Sequence, residues 1–271
     1  MSYLLGTMSY LLAGQPSELE RLQLQSRVWE SAGRRLLAEI GDGAGKTTLD
    51  VGCGPLGWLR LLSDWVGADG RCIGTDNEPS MLAAAEKFCA DEGLRNCELR
   101  QDDLFATRLP PGQFDLVHAR FELAPLGRFD DQIAVYSRLL RPGGLLVLED
   151  PDSASWRYQP DAPSAQRLIG LIVSAFRAGG GDFDAGRRGY TLLTAHGLQP
   201  HLRADIIALP PGHAYLTLPL QFATSLRTRL TGLISEPELD ALLAAATEEL
   251  SDPHRWGTTF TLIQTWAVIG T

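Results

Sequence analysis

Cysteine is scarce in this sequence and follows no metal-binding pattern. The four cysteines stand at positions 53, 72, 89 and 97 and form no C-x-x-C pair, so the sequence offers no zinc-type spacing. A chain of 271 residues is also long enough to fold without disulfide bonds. This cysteine usage is typical of a protein of the reducing cytoplasm, which is where we expect this one to be located.

Positive charge is scarce as well. The sequence has 24 lysine and arginine residues against 33 aspartate and glutamate residues, which gives a formal net charge of −9. Proteins that bind nucleic acids rely on lysine and arginine to displace counterions from the phosphates. The charge balance therefore argues against DNA or RNA as a partner.

Long hydrophobic runs are absent from the sequence. The apolar stretch at the N-terminus is interrupted by Gly6 and Gly14, and no cluster of positive charge precedes it. It therefore predicts neither a signal peptide nor a membrane span, and we expect no contact with membranes. The apolar content of 44% is nevertheless enough to fill the core of one large domain.

Short apolar strands alternate with helices from Thr47 onward. A long helix is predicted before this residue, and strands are predicted near 47–52, 71–76, 96–101, 113–119, 144–150, 202–209 and 258–269. Such alternation is typical of a mostly parallel sheet with helices on both faces. We predict a Rossmann-like, three-layer α/β sandwich whose sheet has seven strands.

A glycine-rich loop joins the first predicted strand to the helix that follows it. The run Leu49-Asp50-Val51-Gly52-Cys53-Gly54-Pro55 places a carboxylate and two positions without side chains where a ligand can approach the backbone. The spacing Gly52-x-Gly54-x-x-Gly57, with Asp76 downstream, also fits the dinucleotide-binding motif. The carboxylate of Asp50 would repel a pyrophosphate, however, and favours a ligand with positive charge. A dinucleotide therefore stays open as an alternative only.

Residues from about 47 to 150 resemble the core of the class I S-adenosylmethionine-dependent methyltransferases, in the branch that acts on small molecules. Four blocks in this order carry the resemblance: Asp50-Val51-Gly52-Cys53-Gly54, the strand that ends at Asp76, the segment Phe114–Arg120, and Leu140-Arg141-Pro142-Gly143-Gly144. Tyr10-Leu11-Leu12 and residues 18–22 are similar to the lid helix of that branch. The loop departs from the family where Leu56 replaces a common third glycine and Gly57 follows one position later. The resemblance also implies that the last strand is antiparallel.

S-adenosylmethionine is the cofactor that the resemblance implies, with S-adenosylhomocysteine as its product. The residues that it implies around the cofactor are Asp50, Gly52, Cys53 and Gly54 at the methionine end, Asp76 and Asn77 at the ribose, and Met81, Asp102, Asp103 and Leu104 at the adenine. Tyr10 on the lid could cover the sulfonium with its ring. Arg120 could bind a carboxylate of the cofactor or of the substrate, or form a structural ion pair with Glu122 or Asp150.

Three residues are candidates for proton transfer. His118 ends the fourth predicted strand, Glu149 ends the fifth, and His213 follows Pro210-Pro211-Gly212 in a segment placed to cover the site. Imidazole titrates near neutral pH, and a carboxylate can deprotonate a hydroxyl group or an amine. His118 could equally be a buried, hydrogen-bonded core residue, and His213 an incidental loop residue. No metal is expected, because the fourth strand offers no second hard oxygen ligand beside Glu149.

These observations predict a single methyltransferase domain over residues 1–271. Within it we expect an N-terminal helical lid over 1–43, a cofactor-binding core over 44–150, and a substrate-binding half over 151–271 with a helical insertion at about 210–253. Aromatic residues of the second half favour an apolar or aromatic acceptor, and the protein is expected to be a monomer or a homodimer.

The predicted function is methyl transfer from S-adenosylmethionine to an oxygen or nitrogen atom of a small organic molecule, in the biosynthesis of a natural product. A carbon acceptor is the less favoured option. Two alternatives stay open. The first is an S-adenosylmethionine-binding protein that catalyses a rearrangement without methyl transfer or is not catalytic, and the second is an NAD-dependent oxidoreductase.

Overall fold

A seven-stranded sheet forms the centre of the computed structural model, which describes residues 16–270. The strands in chain order are β1 (Thr47–Val51), β2 (Arg71–Asp76), β3 (Cys97–Gln101), β4 (Phe114–Arg120), β5 (Leu140–Asp152), β6 (Arg157–Gln159), β7 (His201–Asp205), β8 (Ala208–Leu209), β9 (Trp256–Thr258) and β10 (Thr261–Val268). The large sheet has the order β3-β2-β1-β4-β5-β10-β7. Strand β10 is antiparallel to β5 and β7, and the pairs among β1 to β5 are parallel. The predicted fold class is therefore confirmed.

Helices connect the strands and cover the sheet. In chain order they are α1 (Pro16–Ile40), α2 (Leu59–Val66), α3 (Pro79–Glu92), α4 (Leu123–Leu126), α5 (Phe129–Leu139), α6 (Pro163–Ala178), α7 (Gly186–Ala195), α8 (Leu218–Ser225), α9 (Arg227–Leu230) and α10 (Glu236–Leu250). Among the helices of residues 16–270, none has both the length and the apolar character that crossing a membrane requires.

Alternate residues of the central strands enter two different hydrophobic clusters. Leu116 of β4 and Val147 of β5 belong to the cluster that contains Leu59 of α2. Their neighbours Val117 and Leu146 belong to the other cluster, which reaches α5, α6 and α8. Because successive side chains of a strand point to opposite faces, each strand supplies both cores. This explains why the strands are apolar runs rather than alternating patterns.

Two predicted strands each divide into a pair. The segment predicted at 202–209 forms β7 and β8, and the one at 258–269 forms β9 and β10. Strands β6, β9 and β8 make a second, three-stranded sheet. Where the two sheets separate, Thr259 donates its N–H to the carbonyl of Ile207 at 3.0 Å and accepts the N–H of Ile207 on its hydroxyl at 3.0 Å. Strands of two or three residues are too short for a sequence pattern to reveal.

Candidate functional site

A cavity of about 560 Å³ lies at the carboxyl ends of the central strands. Open α/β sheets bind ligands at this edge, and the volume is in the usual range for small molecules. On the β2 and β3 side the wall is polar, and on the side of β5 and β10 it is aromatic. The polar wall includes Asp76, Asn77, Asp102 and Asp103, and the aromatic wall includes Phe176, Phe183, Phe222 and Phe260. Helix α1 contributes Arg21, Leu22, Gln25 and Ser26.

The glycine loop between β1 and α2 is held by Asp50. One carboxylate oxygen of Asp50 accepts the backbone N–H of Trp58 at 2.7 Å. Gly57, with a φ of 44°, packs so closely on this carboxylate that a Cβ atom there would collide with it and would come within 2.6 Å of the Cys53 carbonyl. Gly57 therefore occupies a position that only glycine fits, and helix α2 begins two residues later, at Leu59.

Gly54 of the same loop faces the cavity. Its φ is 53°, and a Cβ atom added to it would have no atom within 4 Å. The backbone N–H of Gly54 donates to Asp76 at 2.9 Å, and the other oxygen of Asp76 accepts the N–H of Glu78 at 2.9 Å. Burial raises the pKa of Asp76. The end of β2 and the glycine loop are thus fixed together, with open space for a ligand beside the Gly54 backbone.

The acidic residues after β3 are held by their own turn. Asp103 accepts the backbone N–H of Phe105 at 2.9 Å, and Asp102 accepts that of Arg108 at 3.3 Å. Eleven of the residues predicted to surround the cofactor line the cavity: Asp50, Gly52, Cys53, Gly54, Asp76, Asn77, Met81, Asp102, Asp103, Leu104 and Arg120. Tyr10 lies outside the described residues. Which part of the cofactor each residue contacts stays a prediction.

Arg120 reaches the cavity from the end of β4. Its Nη2 atom donates to the hydroxyl of Ser26 at 3.1 Å and to the carbonyl of Gly57 at 3.2 Å. Its Nη1 atom lies 3.8 Å from Glu149 and has no hydrogen-bond partner within residues 16–270. The ion pair predicted with Glu122 or Asp150 is not formed, because the guanidinium turns toward Glu149 and α1.

His118 and Glu149 lie below the cavity and do not line it, and both side chains have no exposed surface. The His118 Nδ1 atom is 2.7 Å from Asp50, its Nε2 atom is 3.2 Å from Glu149, and its ring stacks on Trp58 at 3.9 Å between ring centroids. Gln264 donates to the second oxygen of Glu149 at 2.6 Å. This geometry does not support a role of either residue in taking a proton from the substrate, because their polar atoms are already bound and are covered, and the role stays a prediction.

The contact between His118 and Glu149 shifts their pKa values in opposite directions. Burial lowers the pKa of His118, but Asp50 and Glu149 outweigh it and raise that pKa above 6.5. Burial raises the pKa of Glu149, but the hydrogen bond from His118 and the charges of Arg120 and His118 bring it below 4.5. The geometry and both directions favour the positively charged form of the imidazole between its two carboxylates.

The free energy of unfolding should depend on pH through His118. Because its folded-state pKa is raised, its contribution is complete below about pH 6.5 and is lost as pH rises through that pKa. In Glu149→Gln one carboxylate is gone, so we expect the loss to occur at lower pH than in the wild type. Denaturant unfolding at a series of pH values measures this, with exposed Glu86→Gln as the control. Superimposable pH curves for Glu149→Gln and the wild type would contradict it.

His213 does not line the cavity either. Its Nδ1 atom accepts the backbone N–H of Tyr215 at 3.1 Å and caps a short 3₁₀ turn. Tyr215 and Leu216 in that turn are buried, and they direct the segment after Gly212 into the core rather than over the site. The placement of His213 therefore does not support its predicted catalytic role, which stays a prediction.

Glu122 lines the cavity, whereas the sequence indicates it only as an ion-pair partner of Arg120. It follows directly after β4, two residues beyond Arg120. Its position after the fourth strand could have identified it in the sequence, since side chains just past the carboxyl ends of parallel strands face the ligand site. No group of His, Cys, Asp and Glu side chains in the described part of the chain could hold a metal ion.

A family model and two curated relatives that match this chain are all described as methyltransferases. Residues 48–144 match the family described as a methyltransferase domain. Nocamycin O-methyltransferase of Saccharothrix syringae is 35% identical over 44% of this chain and 42% of its own length. Aklanonic acid methyltransferase DauC of a Streptomyces species is 32% identical over 44% of this chain and 54% of its own. The matched part spans about half the length of these curated relatives.

A solved structure covers almost the whole chain. A SAM-dependent methyltransferase from Aquifex aeolicus is 17% identical, covers 95% of this chain and 100% of its own, and has a TM-score of 0.57. The sheet order, the antiparallel β10 and the cavity at the carboxyl ends of the parallel strands define the class I methyltransferase fold. The predicted resemblance to the class I S-adenosylmethionine-dependent methyltransferases, and the cofactor that it implies, are confirmed.

Proposed function

We propose that this protein transfers the methyl group of S-adenosylmethionine to an oxygen or nitrogen atom of a small apolar or aromatic molecule in specialised metabolism, with a carbon atom as the less favoured alternative. The observation that carries the proposal is one cavity that joins the acidic ends of β2 and β3 to a wall of phenylalanine rings. When bound, S-adenosylmethionine supplies an electrophilic methyl group on a positively charged sulfur.

The polar side of the cavity fits this cofactor and not a pyrophosphate. Carboxylates of Asp50 and Asp76 lie beside the glycine loop, where they would favour an ammonium or a sulfonium and repel a phosphate. The backbone at Gly54 is open to the cavity, so a ligand can approach it closely. Asp76 would hold the ribose hydroxyl groups, and Met81 and Asp103 would border the adenine.

The aromatic side of the cavity favours a flat or apolar acceptor. Phe176, Phe183 and Phe222 meet edge to face with centroid distances of 5.3 to 6.2 Å, and Phe260 lies 5.8 Å from Phe183. Edge-to-face rings of this kind form a rigid apolar wall that an aromatic body can pack against. The names of the two curated relatives, for nocamycin and aklanonic acid, support a natural product as acceptor.

Hydrogen-bond donors stand at the edge of this aromatic wall. The guanidinium of Arg21 lies 4.6 Å from the ring centroid of Phe222 and is paired with Glu18. Arg120 also lines the cavity, next to Ser26 of α1, and its Nη1 atom has no hydrogen-bond partner in residues 16–270. Such donors would orient a carbonyl, phenolate or carboxylate group of the acceptor, while the rings hold its apolar body.

Binding and turnover together test the proposed function. Calorimetric titration should show binding of S-adenosylhomocysteine and none of NAD. Incubation of methyl-labelled S-adenosylmethionine with a panel of phenols, aromatic amines and 1,3-diketones should release S-adenosylhomocysteine with at least one of them. Tight binding of NAD alone would support an oxidoreductase, and conversion of an acceptor without S-adenosylhomocysteine release would support a rearrangement.

Asp76→Ala should weaken the binding of S-adenosylhomocysteine. A lost hydrogen bond to a charged group costs about 1.5–3 kcal/mol, which corresponds to a dissociation constant about 10- to 150-fold higher. The variant also releases the N–H groups of Gly54 and Glu78, which adds to the loss. Titration calorimetry measures the constant, and exposed Asp69→Ala is the matched control. An unchanged constant in Asp76→Ala would contradict the placement of the ribose at this residue.

A further inference from the structure

The chain makes a strained turn directly after β4. Phe121 has a φ of 59°, and this left-handed conformation costs a residue other than glycine about 1–2 kcal/mol. The N–H of Phe121 donates to the carbonyl of Glu149 at 2.8 Å, and the carbonyl of Glu122 accepts the N–H of Leu126 at 3.2 Å and Gln132 Nε2 at 3.3 Å. These bonds hold a backbone that would otherwise relax. Strain kept in this way is concentrated at functional sites.

The turn directs the carboxyl group of Glu122 against the glycine loop. Gly52 has a φ of 60°, and a Cβ atom at this position would overlap the Glu122 carboxyl group. The absence of a side chain at Gly52 therefore makes room for Glu122. The carboxyl group lines the cavity, and within residues 16–270 it has neither a hydrogen bond nor an ion pair.

Glu122 lies at the boundary between the polar side and the aromatic side of the cavity. Strands β1 and β4, which lead into Gly52 and Glu122, are neighbours near the middle of the sheet. The acidic wall lies toward β2 and β3, and the apolar residues Phe121, Ala124 and Pro125, which flank Glu122 in the chain, also line the cavity, with Phe121 edge to face on Phe260 of the aromatic wall at 5.7 Å. A methyl group that passes from cofactor to acceptor must cross this boundary.

The surroundings of Glu122 favour its protonated form. Burial raises the pKa of Glu122, and the nearby carboxylates of Asp76, Asp150 and Asp50 raise it further. A proton acceptor works best when its pKa is near the pH at which the enzyme operates. The titratable and charged groups that face or adjoin Glu122 are Asp50 on β1, Cys53 on the loop, Asp76 on β2, Arg120 on β4, Tyr136 on α5 and Asp150 on β5.

The other acidic and basic groups near the boundary are either covered or already have hydrogen-bond partners. His118 and Glu149 are covered, and both oxygens of Asp50 and of Asp76 accept hydrogen bonds or face His118. Asp150 is buried, does not line the cavity and binds the N–H of Ala124 at 3.0 Å. Glu122 is therefore the carboxyl group that is open to the cavity at the boundary.

We propose that Glu122 accepts the proton that the methyl acceptor loses, an inference that rests on the proposed function. The O–H or N–H bond of the acceptor breaks and its proton moves to a carboxylate oxygen of Glu122. The electron pair of the acceptor forms the new bond to the methyl carbon, and the carbon–sulfur bond breaks with its pair remaining on sulfur. Glu122 then releases the proton to solvent.

Glu122→Gln tests the proposal, with Glu86→Gln as the matched control because Glu86 is exposed on α3 and does not line the cavity. General base catalysis contributes about 10²- to 10⁴-fold, so the single-turnover rate with the best phenol of the panel should fall by about that factor. The rise of this rate with pH should disappear in Glu122→Gln, persist in Glu86→Gln, and return in part in Glu122→Asp.

A binding measurement does not depend on the acceptor. Titration of S-adenosylmethionine in buffers of different ionisation enthalpy counts the protons exchanged on binding. A sulfonium at the boundary favours the ionised form of Glu122, so the wild type and Glu86→Gln should release protons and Glu122→Gln should not. Equal proton release in Glu122→Gln and the wild type, or an unchanged pH profile of the rate, would overturn the proposal. If the wild type bound neither S-adenosylmethionine nor S-adenosylhomocysteine, the proposed function itself would fail.

Discussion

Replacement of His118 by leucine is expected to lower the free energy of unfolding by about 3–5 kcal/mol, the usual cost of leaving a buried charge without its partner. In the wild type the imidazole lies between the carboxylates of Asp50 and Glu149, at 2.7 and 3.2 Å. Leucine fills a similar volume over Trp58 but donates no hydrogen bond. Both carboxylates would then remain buried, with Arg120 at 3.8 Å from Glu149 as the nearest positive group.

Denaturant unfolding near neutral pH measures the loss. Exposed His254→Leu is the control and should change stability by no more than about 0.5 kcal/mol. The double variant His118→Leu with Glu149→Gln should recover part of the loss, because it removes one of the two unpaired charges. A His118→Leu protein as stable as the wild type would show that the imidazole is neutral and serves only in packing.

The fold and the polar side of the cavity could be predicted from the sequence because both depend on local pattern. Buried parallel strands are apolar runs, and the residues that end them meet at one edge of the sheet. The residues Asp50, Asp76 and Asp102 end consecutive strands, so their presence around one cavity follows from the strand assignments alone. The division into lid, core and substrate half stays a prediction.

Which of the candidate proton acceptors reach the cavity could not be predicted in the same way, because depth within the sheet is not visible in the sequence. His118 stands two residues before Arg120, which places it about 6.5 Å deeper along the strand. At that depth the ring of Trp58 covers it, whereas Arg120 at the strand end reaches the cavity. The side chain that sequence reasoning missed, Glu122, depends on a left-handed Phe121, and no residue preference indicates such a turn.

The second large expected effect comes from Gly57, where the glycine loop departs from the family pattern. Gly57, one position later than the common third glycine, lies with a φ of 44° against Asp50 and the Cys53 carbonyl. Gly54 shares the left-handed conformation but faces open space. The two glycines therefore serve different purposes, one in packing the loop and the other in admitting the ligand.

Gly57→Ala is expected to lower the free energy of unfolding by about 2–5 kcal/mol, from a left-handed alanine at 1–2 kcal/mol and overpacking at 1–3 kcal/mol. The same change should weaken S-adenosylhomocysteine binding, since Asp50 must move and release the N–H of Trp58. Gly54→Ala should lower the free energy of unfolding only by the cost of a left-handed alanine, about 1–2 kcal/mol. It should nevertheless raise the dissociation constant of S-adenosylhomocysteine about 5- to 150-fold, because its methyl group enters the cavity.

Unfolding experiments and calorimetric titration of both variants separate these effects. Gly112→Ala is the control, because Gly112 has a φ of 66°, no atom within 4 Å of an added Cβ, and a position outside the cavity. It should match Gly54→Ala in stability and the wild type in affinity. Should Gly54→Ala bind S-adenosylhomocysteine as tightly as Gly112→Ala does, the cofactor cannot lie against this backbone. The open space at Gly54 would then belong to some other ligand, and the assignment of the acidic side of the cavity would have to change with it.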